Sequence, residues 1–219
     1  MRFEGQLECA AVLFDLDGVL VDSTGAVERA WRGWAEQQGL RFEDVIVHAH
    51  GRRTVETIAA VAPHLDARAE MLALEDNEIA RATEVAPLPG AQDVLRALGG
   101  VQWAIVTSGT RRLAGARIEA CGFPSPPALI TGDDVAEGKP HPEGYAKAAE
   151  ALGVEPADCV VFEDAPAGTE AARAAGARVI ALTTTHDAAE LGAADGCVDT
   201  LAQVSATTQP DGTIVLRAS

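Results

Sequence analysis

The chain has 219 residues and a formal net charge of −16 at pH 7, a balance that disfavours nucleic acid, whose binding relies on basic patches. No run approaches the ~20 apolar residues of a membrane helix, and no charged-apolar-small leader opens the chain, so neither a membrane partner nor export is expected. Four cysteines lie far apart with no C-x-x-C pair, which argues for reduced thiols in a cytoplasm and against a thiolate metal site.

The first strand is expected at 10–16, on the apolar run Val12, Leu13, Phe14. It ends in Asp15 and Asp17. Side chains at i and i+2 of a strand share a face, so both carboxylates can look into one site while Leu16 points into the core. Gly18 lets the chain turn and lets backbone approach a ligand. Two like charges at the end of a buried strand are costly unless a cation joins them.

From Ser23 to Ala86 no strand is expected. Helices fit at 24–38, 52–61 and 66–84, with Gly39, Gly51 and Pro63 between them. This reads as a helical cap (23–87) inserted into a core made of 1–22 and 88–219. Trp31 and Trp34, three apart on one helix, are expected in the core of the cap. His50, Arg52 and Arg53 flank Gly51 at a helix start and are candidates for facing a substrate. His64 and His141 read as solvated loop residues.

After the insert, strands at 102–108, 128–131, 159–163 and 178–184 alternate with helices at 90–98, 110–121, 142–152 and 166–175. Such alternation implies an α/β fold, a Rossmann-like parallel sheet with helices on both faces. Ligands then sit beyond the C-terminal strand ends. Asp211-Gly212 between two alternating runs signals a C-terminal β-hairpin.

Three further stretches join the aspartates. Thr107-Ser108-Gly109-Thr110 ends a strand in hydroxyls before a helix, a place where hydroxyl and N–H groups bind anions. Gly138-Lys139-Pro140 holds a lysine in restricted backbone, able to offset charge on a phosphate or carboxylate. Phe162-Glu163-Asp164 again ends an apolar strand in paired carboxylates. The resulting oxygen-rich set suits Mg²⁺.

These four stretches, in this order, resemble the haloacid dehalogenase-like phosphohydrolases, in the subgroup with a helical cap after the first motif. Ala30–Ala35, Trp103–Gly109, Gly138–Pro142 and Phe162–Gly168 look like the matching stretches of bacterial sugar and hexitol phosphatases. They are similar also to fungal glycerol-3-phosphate and 2-deoxyglucose-6-phosphate phosphatases. The resemblance implies a phosphatase of small sugar or polyol phosphates, working through an aspartyl-phosphate. In it Asp15 is the nucleophile and Asp17 the general acid and base. Mg²⁺ is held by Asp15, the Asp17 carbonyl and Asp164, with Glu163 near it or in contact. Ser108 and the Gly109 N–H hold phosphoryl oxygens, and Lys139 neutralises charge beside Asp15. The expected partner is a small phosphomonoester, and the expected state a monomer or weak homo-oligomer.

Two alternatives share parts of the pattern. A sugar phosphomutase of the β-phosphoglucomutase type has the same Gly-Val after its aspartates, but has a His early on its first cap helix where this chain has Val27. A non-enzymatic phosphoacceptor domain would use a similar sheet, but such domains are shorter and lack a cap. A haloacid dehalogenase proper lacks an acidic residue where this chain has Asp17.

Overall fold

The computed structural model describes residues 2–49, 51–100 and 102–218. The chain opens with β1 (Gly5–Cys9) and continues into β2 (Ala11–Phe14). Every β2 residue is buried, as an apolar strand flanked on both sides and covered on both faces must be. Asp15 follows at once, and the chain turns through Gly18, at φ +82, into β3 (Val21–Asp22). Four helices come next: α1 (Thr24–Gln38), α2 (Phe42–Ile46), α3 (Thr54–Val61) and α4 (Ala67–Ala80). The chain returns through β4 (Ala86–Pro87), which pairs antiparallel with β3. The helical segment therefore leaves and re-enters through two neighbouring strands.

The remaining elements are α5 (Ala91–Leu98), β5 (Trp103–Val106), α6 (Arg111–Ala120), β6 (Ala128–Ile130), α7 (Glu143–Leu152), β7 (Cys159–Glu163), α8 (Pro166–Ala175), β8 (Arg178–Leu182), β9 (Gly196–Val198), β10 (Val204–Thr208) and β11 (Ile214–Ala218). Six strands form one sheet in the order β6-β5-β2-β7-β8-β9, and every pairing in it is parallel. The fold is thus the expected α/β class. The chain builds to one side of β2, then crosses over to β7 on the other, so β2 lies at the switch point where α/β sheets bind ligands.

Alternate residues of the strands supply two cores. Val12, Phe14, Trp103, Ile105, Val160 and Phe162 pack with Val94 and Leu95 of α5. Phe14 and Phe162, paired in register, stack at 5.5 Å. On the other face Leu13, Ala104, Val106 and Val161 meet Ala148 and Ala149 of α7 and Ala171 and Ala172 of α8, alanines that let helices lie close to the sheet. A third cluster belongs to the helical segment, where Trp31 and Trp34 meet Val45, Ile58 and Leu74. Both tryptophans are buried, and the Trp34 indole N–H donates to Glu70 Oε2 at 2.8 Å.

Differences from the sequence reading have local causes. α3 starts at Thr54 because Arg53 is extended (φ −70, ψ 134) as its N-cap. α4 stops at Ala80, and 82–84 tightens into a 3₁₀ turn. α2, β1 and β9 are short elements that give little periodic signal. The C-terminal hairpin forms from β10 and β11, but β1 pairs with its far strand, making a three-stranded ribbon. Among the described residues no helix is long and apolar enough to cross a membrane. All four cysteines are free and buried.

Candidate active site

Parallel strands deliver their C-terminal ends to one edge of the sheet. Asp15 and Asp17 follow β2, Thr107 and Ser108 follow β5, and Glu163 ends β7 with Asp164 directly after it. Five of these, Glu163 excepted, line one cavity of about 110 Å³, roofed by Trp31, Arg52 and Glu78 of the helical segment. One carboxylate oxygen from each of Asp15, Glu163 and Asp164 can be chosen so that all lie within 4.8 Å of one another.

Lys139 enters this cluster from the loop before α7. Its Nζ donates to Asp15 Oδ1 at 2.5 Å, Glu163 Oε1 at 2.6 Å and the Val106 carbonyl at 3.1 Å, using all three ammonium protons. Burial alone would lower its pKa; attraction to Asp15 and Glu163 overcomes that and holds it above the ordinary lysine value. Three buried carboxylates thus share one buried cation, leaving an excess of two negative charges when all are ionised. Burial pushes Asp15 up to about 7, with Lys139 opposing and Glu163 and Asp17 adding to the rise. Burial, then Glu163 and Asp15, raise Asp164 well above the carboxylate range.

Glu163 is fully occupied. Its Oε1 accepts from Lys139 and from the Tyr145 hydroxyl at 2.8 Å, and its Oε2 from the N–H groups of Asp164 at 2.9 Å and Ala165 at 3.1 Å. A carboxylate offers about four acceptor sites, so none is left over. Its place exists because residue 168 is glycine: a Cβ there would lie 1.8 Å from Glu163 Oε1. Asp164 accepts from Thr185 Oγ1 on Oδ2, and a Cβ on Gly18 would lie 2.0 Å from that same oxygen. Among the described residues Asp15 Oδ2 and Asp164 Oδ1 accept no hydrogen bond. These two oxygens form a hard donor pair in a site short of positive charge, with His186 Nδ1 held at the main-chain carbonyl of Asp164, 3.1 Å away. That is the chemistry a divalent cation such as Mg²⁺ fits.

Asp17 stands apart from the lysine. Its Oδ1 accepts from Ser23 Oγ at 2.7 Å and its Oδ2 from Arg117 Nη1 at 2.6 Å. The other terminal nitrogen of Arg117 donates to Glu78. Burial raises the Glu78 carboxyl to about 7 although Arg117 opposes the rise.

The phosphate-binding candidates are both present but engaged. Ser108 Oγ donates to the Gly51 carbonyl at 2.9 Å, and the Gly109 N–H donates to Thr107 Oγ1 at 3.0 Å. Among the cap candidates, Arg52 is exposed at the cavity and, among the described residues, forms no ion pair. Arg53 is turned away from the cavity that holds Asp15. Its guanidinium reaches Glu56 and the carbonyls of Gly132, Val135 and Ala136, so its five N–H groups are spent on tying α3 to the loop before Lys139. His50 lies outside the described residues. His64 is exposed, and the Nδ1 of the exposed His141 caps the Glu143 N–H at 3.3 Å.

Several groups at the site escaped the sequence reading: Ser23, Glu78, Arg117, Tyr145 and Thr185, while Thr107 stood in the hydroxyl stretch before α6 without a role of its own. Thr107 had a usable signal. It is the first residue past its strand, as Asp15 is past β2. It is buried and its hydroxyl proton has no acceptor among the described residues. The others are fixed by long-range packing and carry no local mark.

Residues 9–176 match the family described as haloacid dehalogenase-like hydrolase. Hexitol phosphatase A of Escherichia coli is 40% identical over 96% of this chain and 100% of its own. The 2-deoxyglucose-6-phosphate phosphatase 1 of Saccharomyces cerevisiae is 36% identical over 94% of each chain. Among solved structures, CbbY from Rhodobacter sphaeroides in complex with phosphate superposes with a TM-score of 0.79 at 28% identity, covering 89% of this chain and 96% of that one.

Proposed function

Because the chain belongs to the haloacid dehalogenase-like hydrolases, we propose that it is a Mg²⁺-dependent phosphatase of small sugar or polyol phosphate monoesters, acting through an aspartyl-phosphate on Asp15. One observation carries the reading. A buried carboxylate with a free oxygen, Asp15, sits beside a fixed lysine and a second free carboxylate oxygen, on the wall of a cavity. The relatives named for hexitol and deoxyhexose phosphates support the substrate class.

The physical difficulty is charge. An ionised Asp15 attacking a phosphate dianion meets two unit repulsions, roughly 4 kcal/mol each at 4 Å and an effective dielectric of about 20. Unrelieved, that slows attack by about six powers of ten. Asp15 and Asp164, with the Asp17 carbonyl, would hold Mg²⁺, while Glu163 braces Lys139 and the backbone of 164–165 without touching the ion. Bound there, the ion supplies charge neutralisation to the phosphoryl oxygens and orients them. Lys139 places a further positive charge next to Asp15 Oδ1; one oxygen of the carboxylate would face the ion and the other attacks.

The Thr107 hydroxyl and the Ser108 hydroxyl, the latter once released from Gly51, would hold phosphoryl oxygens, with the Gly109 N–H beside them. An oxygen of the Asp15 carboxylate forms a bond to phosphorus as the bond to the sugar oxygen breaks, and Asp17 gives that sugar oxygen a proton. Asp17 then takes a proton from water, which attacks the phosphoryl group and frees Asp15. The helical segment, residues 23–87, acts as a cap that closes over this exchange and keeps bulk water out. Thr24, Glu28, Arg52 and Thr54 of the helical segment also line the cavity and suit a hydroxylated leaving group. Val27 faces the same cavity and has no proton to give, which favours transfer to water over the mutase reading.

A screen of phosphomonoesters with and without Mg²⁺ tests the proposal. Hexitol, hexose and glycerol phosphates should rank highest by kcat/KM, with activity lost in chelator and restored by Mg²⁺. Equal turnover in chelator, or one stable phosphoryl group per chain without turnover, would overturn it.

A further inference from the structure

Asp17, the acid and base of the reading above, is held on both oxygens by groups tied to the cap. Ser23, which binds Oδ1 at 2.7 Å, is the residue directly before α1. Arg117, which binds Oδ2 at 2.6 Å, stands on α6 of the core but gives its other terminal nitrogen to Glu78 of α4. Arg117 and Glu78 are about as buried as the nucleophile itself, at 4% and 6% exposure. A buried guanidinium needs both partners, since taking one away leaves an uncompensated charge. The guanidinium is also a flat, rigid fork. Fixing one nitrogen on Glu78 therefore fixes the direction in which the other presents its N–H to Asp17.

We infer that Glu78 and Arg117 form a relay that aligns Asp17 only when the cap is closed, which makes Arg117 a positioning residue for the acid and Glu78 its cap-side anchor. The inference rests on Asp17 being the acid. With the cap open, Glu78 withdraws, and the whole fork of Arg117 is available to Asp17. With the cap closed, Glu78 takes one arm, and Asp17 keeps a single contact with the other. Proton delivery is thereby tied to a covered substrate. Neither residue takes up or gives away the proton, which still passes from Asp17 to the leaving oxygen.

Leaving-group dependence separates this role from a merely structural one. An alkyl leaving group needs the proton, whereas a 4-nitrophenolate does not. A cap that only loosens lowers kcat/KM for both substrates alike. A misaligned acid lowers the alkyl value selectively. The full chain with Mg²⁺ is assayed on a hexitol phosphate and on 4-nitrophenyl phosphate, as wild type, Glu78→Gln, Arg117→Met, Arg117→Lys and Asp17→Asn. Asp17→Asn sets the scale, with an alkyl-to-aryl kcat/KM ratio reduced by about a hundredfold or more.

Glu78→Gln and Arg117→Met should each reduce that ratio by about tenfold or more, and Arg117→Lys should recover part of the loss. If Asp17→Asn collapses the ratio while Glu78→Gln leaves it within about twofold of wild type, the relay is wrong and the acid assignment stands. If Asp17→Asn itself leaves the ratio unchanged, the acid assignment falls and the relay with it. Glu78→Gln keeps the shape but removes the charge that pairs with the buried Arg117 guanidinium, so it decides the question even if Arg117→Met does not fold.

Discussion

Replacing Lys139 by methionine keeps most of the side-chain volume and removes the only cation bonded to the Asp15–Glu163–Asp164 cluster among the described residues. Two consequences follow from the geometry. The first is on stability. Lys139 bonds two carboxylates at 2.5 and 2.6 Å from a position 7% exposed, and breaking a buried ion pair by removing one partner costs about 3–5 kcal/mol. For a chain of this size each kcal/mol moves Tm by roughly 2–4 °C, so a fall of about 6–20 °C is expected. Asp15 already titrates at about 7, and losing Lys139 raises it further. Taking up a proton then relieves the unpaired charge, so the loss in Tm should be smaller below neutrality than above it.

The second consequence is on rate. One unit of attraction toward the incoming phosphate is lost, roughly 4 kcal/mol at 4 Å and an effective dielectric of about 20, or about a thousandfold in kcat/KM. Scanning calorimetry and steady-state kinetics with Mg²⁺ read the two effects separately. A folded Lys139→Met enzyme within about tenfold of the wild-type rate would refute the charge argument, whatever its Tm.

Metal-free protein should lose stability as pH rises. The carboxyls of Asp15 and Glu78 stand at about 7 in the folded state, above the ~4 of an unfolded chain. Between these values the folded state holds more protons, so their contribution is full below pH ~4 and lost through pH ~7. Tm in chelator should fall from pH ~5 to ~8 more steeply than in Mg²⁺; parallel curves would argue against a metal site. Gly168→Ala gains roughly 1 kcal/mol of helix propensity, but its Cβ would stand 1.8 Å from Glu163 Oε1. The clash should win by about 1–3 kcal/mol, seen as a lower Tm together with a lower kcat. Arg52→Ala should change the ranking of substrates by KM, because that side chain is free at the cavity. Arg53→Ala should lower kcat/KM for every substrate by a similar factor, because that side chain only ties α3 to residues 132–136. Identical profiles for the two variants would contradict this division.

The parts of the site legible in the sequence are those set by local pattern. Val12-Leu13-Phe14 before Asp15 and Val160-Val161-Phe162 before Glu163 mark strands by composition alone, and parallel pairing then carries their ends to one edge. The i, i+2 spacing of Asp15 and Asp17 likewise needs no tertiary information to place both at the cavity. Their partners do need it. Arg117 and Asp17 are 100 residues apart, and Glu78 and Arg117 are 39 apart, so nothing near either residue in sequence announces the pair. Arg52 and Arg53 show the limit at finer scale. They are alike in sequence, yet the extended backbone at Arg53 sends its side chain into the core loop while Arg52 stays at the cavity. Ser108 and Thr107 differ by one position; the end of the strand picks out Thr107, and packing buries it.

The account stands on covalent transfer to Asp15. The direct measurement is acid-quenched labelling of the Asp17→Asn enzyme with Mg²⁺ and a radiolabelled aryl phosphate, followed by peptide mapping. Phosphoryl transfer to a good leaving group needs no proton from Asp17, whereas hydrolysis of the acyl phosphate does need its base. Label should therefore accumulate on the peptide that carries Asp15 and be absent when Asp15 is asparagine. Label on another residue, or wild-type turnover with no label on Asp15 at any quench time, would contradict the mechanism at its root.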